Sequence, residues 1–323
     1  MLVTPESDRQ NRNFALTVAA FIVVVASLSS WFTPFALFLL LFSPLAYWLI
    51  RRTTLRRLSA MKRPFPSPWE ETLETRVAFF RKLSDDERGR FRQLVSVFLD
   101  EVRITGIGTE VDDTIRVLVA ASAAIPIFGF RNWEYSRLGE VLIYPDSFGE
   151  EYQASERDES NILGMVGLNQ LRGVMILSKP SLLAGFESAT NADNVGIHEF
   201  AHLVELEAGD NGLPPEVPWP AAKQWIEYVA RELTDPRNPS SVRSYAYTNQ
   251  SEFFAVLAEY FFESPDLLEK KDPELYTMLR KMFHQDTVSL FKRKSPRRLK
   301  YRGSKPCPCN SGKQYVSCCL QKA

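Results

Sequence analysis

The sequence predicts a helix-rich α+β domain that follows an apolar helical hairpin and precedes a short cysteine-rich tail. Three observations predict this order. An uncharged run extends from Asn13 to Ile50. Apolar residues then recur at the spacing of amphipathic helices, with two short β-rich segments among them. All four cysteines lie at the far end of the chain, from Cys307 onward.

Length and charge set the limits of the interpretation. The chain has 323 residues, enough for a sizeable core, and its net charge is zero, so no overall field points to nucleic acid. Basic residues nevertheless dominate the C-terminal end, because no acidic residue follows Asp286. A disulfide-stapled secreted domain would spread its cysteines through the fold. Their clustering therefore indicates a local metal site in a reducing compartment.

The uncharged run is nearly twice the length of one membrane span, which needs about 20 apolar residues. Pro34 disfavours helix in the residue before it. The run therefore divides into two spans, residues 14–30 and 35–50, after an N-terminal tail of residues 1–13. Each span is short, so a shallow re-entrant hairpin is the alternative. A cleaved signal peptide is disfavoured because the run is too long and no Ala-x-Ala-like site follows it.

Basic residues on both sides of the hairpin predict its orientation. Arg9 and Arg12 precede the first span, and a basic, proline-rich linker at residues 51–68 follows the second. Positive flanks stay in the cytoplasm, so both ends of the chain are expected there.

The soluble domain, residues 69–289, is predicted to begin with helix from Trp69 to Val102. A capping box at Ser84 and Glu87 starts a second helix within that stretch. A helix over 111–130, capped near Thr109, follows.

Two short β-rich runs, 141–144 and 174–177, are bounded by turn residues and are predicted to be buried strands. Two further helices are expected at 191–208 and 250–263. Asn191 or Asp193 caps the first of these, and Gly209 stops it.

The segment HEFAH carries the clearest chemical signal. Its two histidines, His198 and His202, are four residues apart and share one helix face, with Cβ atoms about 6 Å apart. Both imidazoles can therefore bind one zinc ion at about 2.1 Å. Glu199 lies beside that face, where it can accept a proton from a water molecule. The apolar neighbours indicate a buried helix, which disfavours a chance pair of surface histidines.

The third ligand is less evident. The metzincin pattern needs glycine and histidine where this chain has Glu205 and Ala208, so that pattern is excluded. His284 is one alternative. A carboxylate of the apolar segment SEFFAVLAEYFFE is the other, and among Glu252, Glu259 and Glu263 we favour Glu252.

The segments HEFAH and SYAYTNQSEFFAVLAEYFFESP together resemble the Mlc titration factor A family of zinc peptidases. Three upstream segments are also similar to that family: EVRITGIGTEVDDTIRVLVAASAAIPIFGF, VLIYPDSF and GVMILSKPSLLAGF. The similarity extends from about Trp69 to Ser289, and the order of its segments makes it specific.

This resemblance implies a zincin-like (gluzincin-type) fold and the hydrolysis of peptide substrates, including aminopeptidase-type cleavage. The family's zinc ligands fall on His198, His202 and Glu252, and its catalytic glutamate falls on Glu199.

A family tyrosine falls on Tyr245, where a phenol could stabilise the oxyanion. Tyr247 is a close rival. Where the family usually has an aspartate, this chain has Glu205. If that group supports the metal ligands, its longer arm changes the geometry. The expected location is the bacterial inner membrane, with the catalytic domain facing the cytoplasm.

The tail at residues 305–323 is similar to the SEC-C motif, which implies a structural zinc and a protein partner. Four thiolates around a short turn can close a tetrahedral site and supply the folding energy of so short a segment. The ligands are Cys307, Cys309, Cys318 and Cys319. A basic linker, 290–304, precedes the tail. Its run 292–305 is interpreted equally as a contact for ribosomal RNA or anionic lipid and as a solvated linker.

Two functions fit these patterns. The first is a membrane-anchored zinc-dependent peptidase. The second is a membrane-tethered regulatory protein that sequesters a partner, such as a transcription regulator, without catalysis. The presence of Glu199 favours the first, because a structural metal needs no general base.

Overall fold

The computed structural model describes residues 2–131, 133–145, 173–187, 192–207, 219–234 and 250–293. The chain divides into two compact units after Arg63. The first unit is an apolar helical hairpin. The second carries the sheet and the predicted metal-site segments.

The hairpin consists of α1 (Pro5–Ser30), a 3₁₀ helix (Pro34–Leu41) and α2 (Phe42–Lys62). A capping box of Thr4 and Ser7 starts α1. Both α-helices extend beyond the predicted spans, and α2 continues to Lys62 through much of the predicted linker. The residues after Ile50 are mostly good helix formers such as Arg, Leu, Ala and Met, which explains this continuation.

Apolar side chains of the hairpin face outward. Trp31 is 90% exposed and Phe32 is 86% exposed. By contrast, the guanidinium of Arg51 is buried within the hairpin, where it bonds to Asp8 at 2.6 Å and Asn11 at 3.1 Å. The helices at Pro5–Ser30 and Phe35–Lys62 are each long and apolar enough to cross a membrane.

The second unit opens with three helices, α3 (Ser67–Arg76), α4 (Ala78–Lys82) and α5 (Asp85–Glu101). The predicted capping box is confirmed, since Ser84 and Glu87 bond to each other's backbone amides at the start of α5.

The sheet has three parallel strands in the order β1 (Arg103–Gly106), β2 (Glu140–Tyr144) and β3 (Val174–Ser178). The two predicted strands are confirmed. The first strand, β1, was not predicted, because only Ile104 of its four residues is both strongly β-prone and buried.

Helix α6 (Asp113–Ile127) joins β1 to β2. The prediction of a cap near Thr109 is wrong, because Asp112 accepts the hydrogen bond from the backbone of Ile115 at 2.8 Å. Pro126 lies inside the last turn of α6. Nearly every residue of this helix is buried, so it forms the centre of the core.

The remaining helices follow β3. They are α7 (Lys179–Glu187), α8 (Val195–Glu207), α9 (Trp219–Thr234), α10 (Gln250–Glu263), α11 (Pro265–Lys271), α12 (Pro273–Phe283) and α13 (Thr287–Lys292). The predicted bounds of α10 are confirmed. The prediction of a helix-rich domain with a small sheet is also confirmed.

The start of α8 differs from its prediction. Asn194 caps this helix, since its side-chain oxygen accepts from the backbone of Ile197 at 3.1 Å, so Asp193 is not the cap. Asn191 and Gly209, the other predicted boundary residues, lie outside the described part of the chain.

Candidate metal centre

Two helices, α8 and α10, position the predicted metal site. On the side away from the predicted metal site, α8 approaches α6 closely at Gly196. A Cβ added there would lie 2.1 Å from the hydroxyl of Ser122. The ring of Phe200, also on α8, packs against Phe98 at 5.6 Å and Tyr135 at 5.2 Å. These contacts hold α8 against the core, so that its histidines face α10.

Three potential ligands converge between these helices. The Nε2 atoms of His198 and His202 lie 3.2 Å apart. The carboxylate of Glu252 lies 3.2 Å from the first Nε2 and 3.5 Å from the second. A tetrahedral zinc with ligands at about 2.1 Å separates its donor atoms by about 3.4 Å. The donor set and its spacing therefore fit a zinc ion.

The other ring nitrogen of His198 faces a carboxylate. Its Nδ1 lies 2.8 Å from Oε1 of Glu259, which is only 2% exposed. The second oxygen of Glu259 accepts a hydrogen bond of 2.7 Å from the backbone amide of Asn194. A carboxylate on α10 thus links the first histidine to the start of α8.

The other ring nitrogen of His202 faces a hydroxyl. Its Nδ1 lies 2.9 Å from Oγ of Ser251, and this hydroxyl donates to the carboxylate of Glu205. Glu205 therefore reaches His202 through one intervening side chain. This path accommodates its longer arm.

A second buried carboxylate of α10, Glu263, ties the two helices together without touching a histidine. It accepts hydrogen bonds from the backbone of Asp193 at 3.1 Å and from the side chain of Asn194 at 3.0 Å. Burial raises its pKa to about 8, although the bond from Asn194 lowers it.

Glu199 is 5% exposed, and among the described residues its Oε2 has no hydrogen-bond partner. Burial raises the pKa of its carboxyl. His198 lowers this pKa, but the charges of Glu252 and Glu259 help to hold it at about 8. A buried acid with a pKa near neutrality can both accept and return a proton.

The converging groups also perturb one another. Burial lowers the pKa of His198, but hydrogen bonds to Glu252 and Glu259 outweigh burial and raise it to about 10. Burial raises the pKa of Glu252, whereas hydrogen bonds from both histidines move it well below its usual range. A neighbouring positive charge therefore stabilises the ionised carboxylate of Glu252, and a divalent cation would supply such a charge.

His284, the alternative ligand, is not part of this group. It ends α12 in a left-handed conformation with φ 51°, and its ring packs edge-on against Phe130 at 5.5 Å. Tyr245 and Tyr247 lie outside the described residues, as do the four cysteines of the tail.

Sequence reasoning missed the groups that support the histidines, namely Asn194, Ser251 and Glu259. A signal for Glu259 was present, because a carboxylate in so apolar a helix needs a partner. Ser251 and Asn194 gave none, since both residue types are common at helix starts.

Residues 50–284 match the family described as glucose-regulated metallo-peptidase M90, over more than half of the chain. The chain belongs to this family. The match contains all three converging ligands as well as Glu199.

Relatives in this metallopeptidase family have two kinds of name. A Synechocystis sp. protein called uncharacterized is 29% identical over 241 residues, which cover 71% of this chain and 87% of the relative. Mlc titration factor A of Enterobacter sp. is 26% identical over 239 residues, with 68% and 87% covered. The protein of that name in Escherichia fergusonii is 27% identical over 238 residues, again with 68% and 87% covered. The predicted resemblance to the Mlc titration factor A family is confirmed.

Proposed function

We propose that this protein is a membrane-anchored, cytoplasmic zinc-dependent peptidase. The observation that carries the proposal is the convergence of His198, His202 and Glu252 next to a buried acid, Glu199. Membership of a metallopeptidase family supports it. A purely structural metal site would not need Glu199, whose buried carboxyl has an energetic cost.

When bound, zinc supplies polarisation of the peptide carbonyl and acidifies a water molecule. His198, His202 and Glu252 hold it. Glu199 takes the proton from the attacking water and returns it to the departing amine, so that one carboxyl serves as base and then as acid. The positive charge of a bound cation would lower the raised pKa of Glu199, so that its carboxylate is ionised and can accept that proton.

Two further parts of the proposal come from the family resemblance. Tyr245 donates a hydrogen bond to the oxyanion that develops on the carbonyl. The domain adopts a zincin-like fold of the gluzincin type, in which the third ligand is a glutamate on a later helix. The position of Glu252 on α10 is compatible with that arrangement.

We further propose that the hairpin anchors the protein in the bacterial inner membrane. Its two long apolar helices and their basic flanks support a cytoplasmic placement of both chain ends. The tail would bind a second, structural zinc through its four cysteines and recruit a protein partner. The basic run 292–305 would contact ribosomal RNA or anionic lipid.

Cleavage of a mixed peptide library tests the enzymatic part of the proposal. Detergent-purified full chain is compared with Glu199→Gln, and the products are identified by mass spectrometry. We expect Glu199→Gln to retain zinc but to lose at least about 100-fold in cleavage rate, as for the removal of a general base. Glu227→Gln is the matched control, because its side chain is 65% exposed.

The fragment ends distinguish an aminopeptidase from an endopeptidase. Equal cleavage by the wild type and Glu199→Gln would refute the mechanism. Absence of cleavage by a zinc-loaded wild type would favour the second function, regulatory binding of a partner protein. The name titration factor, carried by several relatives, is the observation that favours this alternative.

A further inference from the structure

We infer that Glu259 is a positioning residue that orients His198 for zinc binding. The inference rests on the proposed function only in that the site holds zinc. Catalysis itself is not needed for it. Nothing in the sequence motif requires this residue, because Glu259 lies two helical turns beyond the ligand Glu252 on α10.

Both oxygens of Glu259 are directed at donors. Oε1 lies 2.8 Å from Nδ1 of His198, and Oε2 accepts from the backbone of Asn194 at 2.7 Å. The side chain is 2% exposed, so water does not compete for these bonds. A buried carboxylate is costly unless paired, and here the pairing fixes its position completely.

This geometry determines which nitrogen of His198 binds metal. A carboxylate can only accept a hydrogen bond, so the proton of the imidazole resides on Nδ1. In the neutral imidazole that a metal requires, the lone pair of Nε2 faces the converging site, where this atom lies 3.2 Å from Glu252. Carboxylates in this position also raise the basicity of the ligating nitrogen and increase metal affinity.

The two histidines are supported differently. Ser251 donates its one proton to Glu205, so its hydroxyl oxygen accepts from Nδ1 of His202. The partner of this ring is therefore a neutral hydroxyl, and the charge of Glu205 acts on His202 only through Ser251. We expect the carboxylate on the first histidine to contribute more to metal affinity than the hydroxyl on the second.

The structure offers a matched control for this inference. Glu263 lies on the same helix, is also buried, and also bonds to Asn194. It differs in having no contact with a histidine ring among its hydrogen bonds. Any effect of helix packing should appear in both variants, whereas an effect on ligand orientation should appear only at Glu259.

Zinc affinity provides the test. It is measured by competition with a chromogenic chelator on the detergent-purified full chain, in which Cys307, Cys309, Cys318 and Cys319 are replaced by serine to remove the tail site. We expect Glu259→Gln to weaken zinc binding about 10- to 100-fold. Glu263→Gln should weaken it less than about threefold, because the hydrogen bonds of Glu263 go to Asp193 and Asn194 and not to a ligand.

Two additional readouts separate orientation from folding. The visible spectrum of the cobalt-substituted protein should change in Glu259→Gln and not in Glu263→Gln. Excess zinc should restore at least part of the peptide cleavage by Glu259→Gln, because the variant keeps His198, His202 and Glu252.

Equal zinc affinity of the wild type and Glu259→Gln would overturn the inference, as would an equal loss in both variants. If the wild type binds zinc but cleaves no peptide, the proposed peptidase fails while the affinity comparison still decides the role of Glu259.

Discussion

The hairpin and the metal-site domain depart in opposite ways from the usual distribution of side chains, in which apolar groups are buried and charged groups are exposed. The hairpin exposes large apolar side chains such as Trp31 and Phe32, whereas the domain buries the carboxyls of Glu199 and Glu259. Exposed apolar surface costs about 25 cal/mol per Å² in water, and a buried ion costs several kcal/mol. The domain offsets the cost of Glu259 internally, through hydrogen bonds from His198 and Asn194. The exposed apolar side chains of the hairpin have no such compensation among the described residues, which supports the membrane anchor proposed above.

The largest expected effect comes from separating the two regions. Removal of residues 1–63 should transfer nearly all of the protein from the membrane pellet to the supernatant of a cell lysate, with the zinc of the site retained. The reason is that the exposed apolar helices lie in this segment and the metal ligands do not. Ultracentrifugation with immunoblotting and metal analysis measures both.

The full-length chain is the control and should remain in the pellet. Retention of the truncated protein in the pellet would contradict an anchor confined to the hairpin. A wash in about 1 M salt then identifies an electrostatic contact, because the screening length falls to roughly 3 Å. Release by that wash would assign membrane contact to the basic run near the tail.

The same substitution in the two regions should have very different effects on stability. Phe200 is fully buried and touches Phe98 and Tyr135, so Phe200→Ala should cost about 3–5 kcal/mol. Phe32→Ala, at an 86% exposed position, should change the unfolding free energy by less than about 0.5 kcal/mol in detergent. Denaturant titration followed by near-UV circular dichroism measures both. Similar losses would show that the hairpin contributes to the domain's stability.

The last comparison concerns pH and belongs to the domain alone. The folded pKa of Glu263 is raised to about 8, whereas an unfolded glutamate titrates near about 4.3. Its stabilising contribution is therefore complete below about pH 4.3 and is lost as pH rises to about 8. The slope is at most about 1.4 kcal/mol per pH unit.

Glu263→Gln should remove this part of the slope. Melting temperatures of the wild type and the variant, measured from pH 5 to 8 in detergent, should converge or cross as pH rises, because only the wild type loses stability through this group. Parallel curves would show that Glu263 does not titrate in that range.

Much of the site was predictable because its signal is local. The spacing of His198 and His202 reflects the period of one helix, and the bounds of α10 follow from its apolar pattern and the proline after it. The capping box of α5 is likewise encoded in four adjacent residues.

What could not be predicted depends on contacts between distant segments. The hydrogen bond from His198 to Glu259 joins residues 61 positions apart, and no periodicity within either helix indicates it. The strand β1 is too short to give a recognisable sequence pattern, and its place in the sheet comes from pairing with β2. Its four residues carry too few β-prone side chains to outweigh the helical signal around them.

One helix, α10, carries the ligand Glu252 together with Ser251 and Glu259, the groups that face both histidines. A slip of α10 by one residue would turn these side chains by about 100° and remove all of them from the histidines together. A chain with α10 out of alignment would therefore lose the proposed metal site, even if the rest of its core were well packed. Zinc occupancy would thus report on folding: a protein that binds zinc has α10 correctly aligned with α8, and a protein in which α10 has shifted would lack zinc.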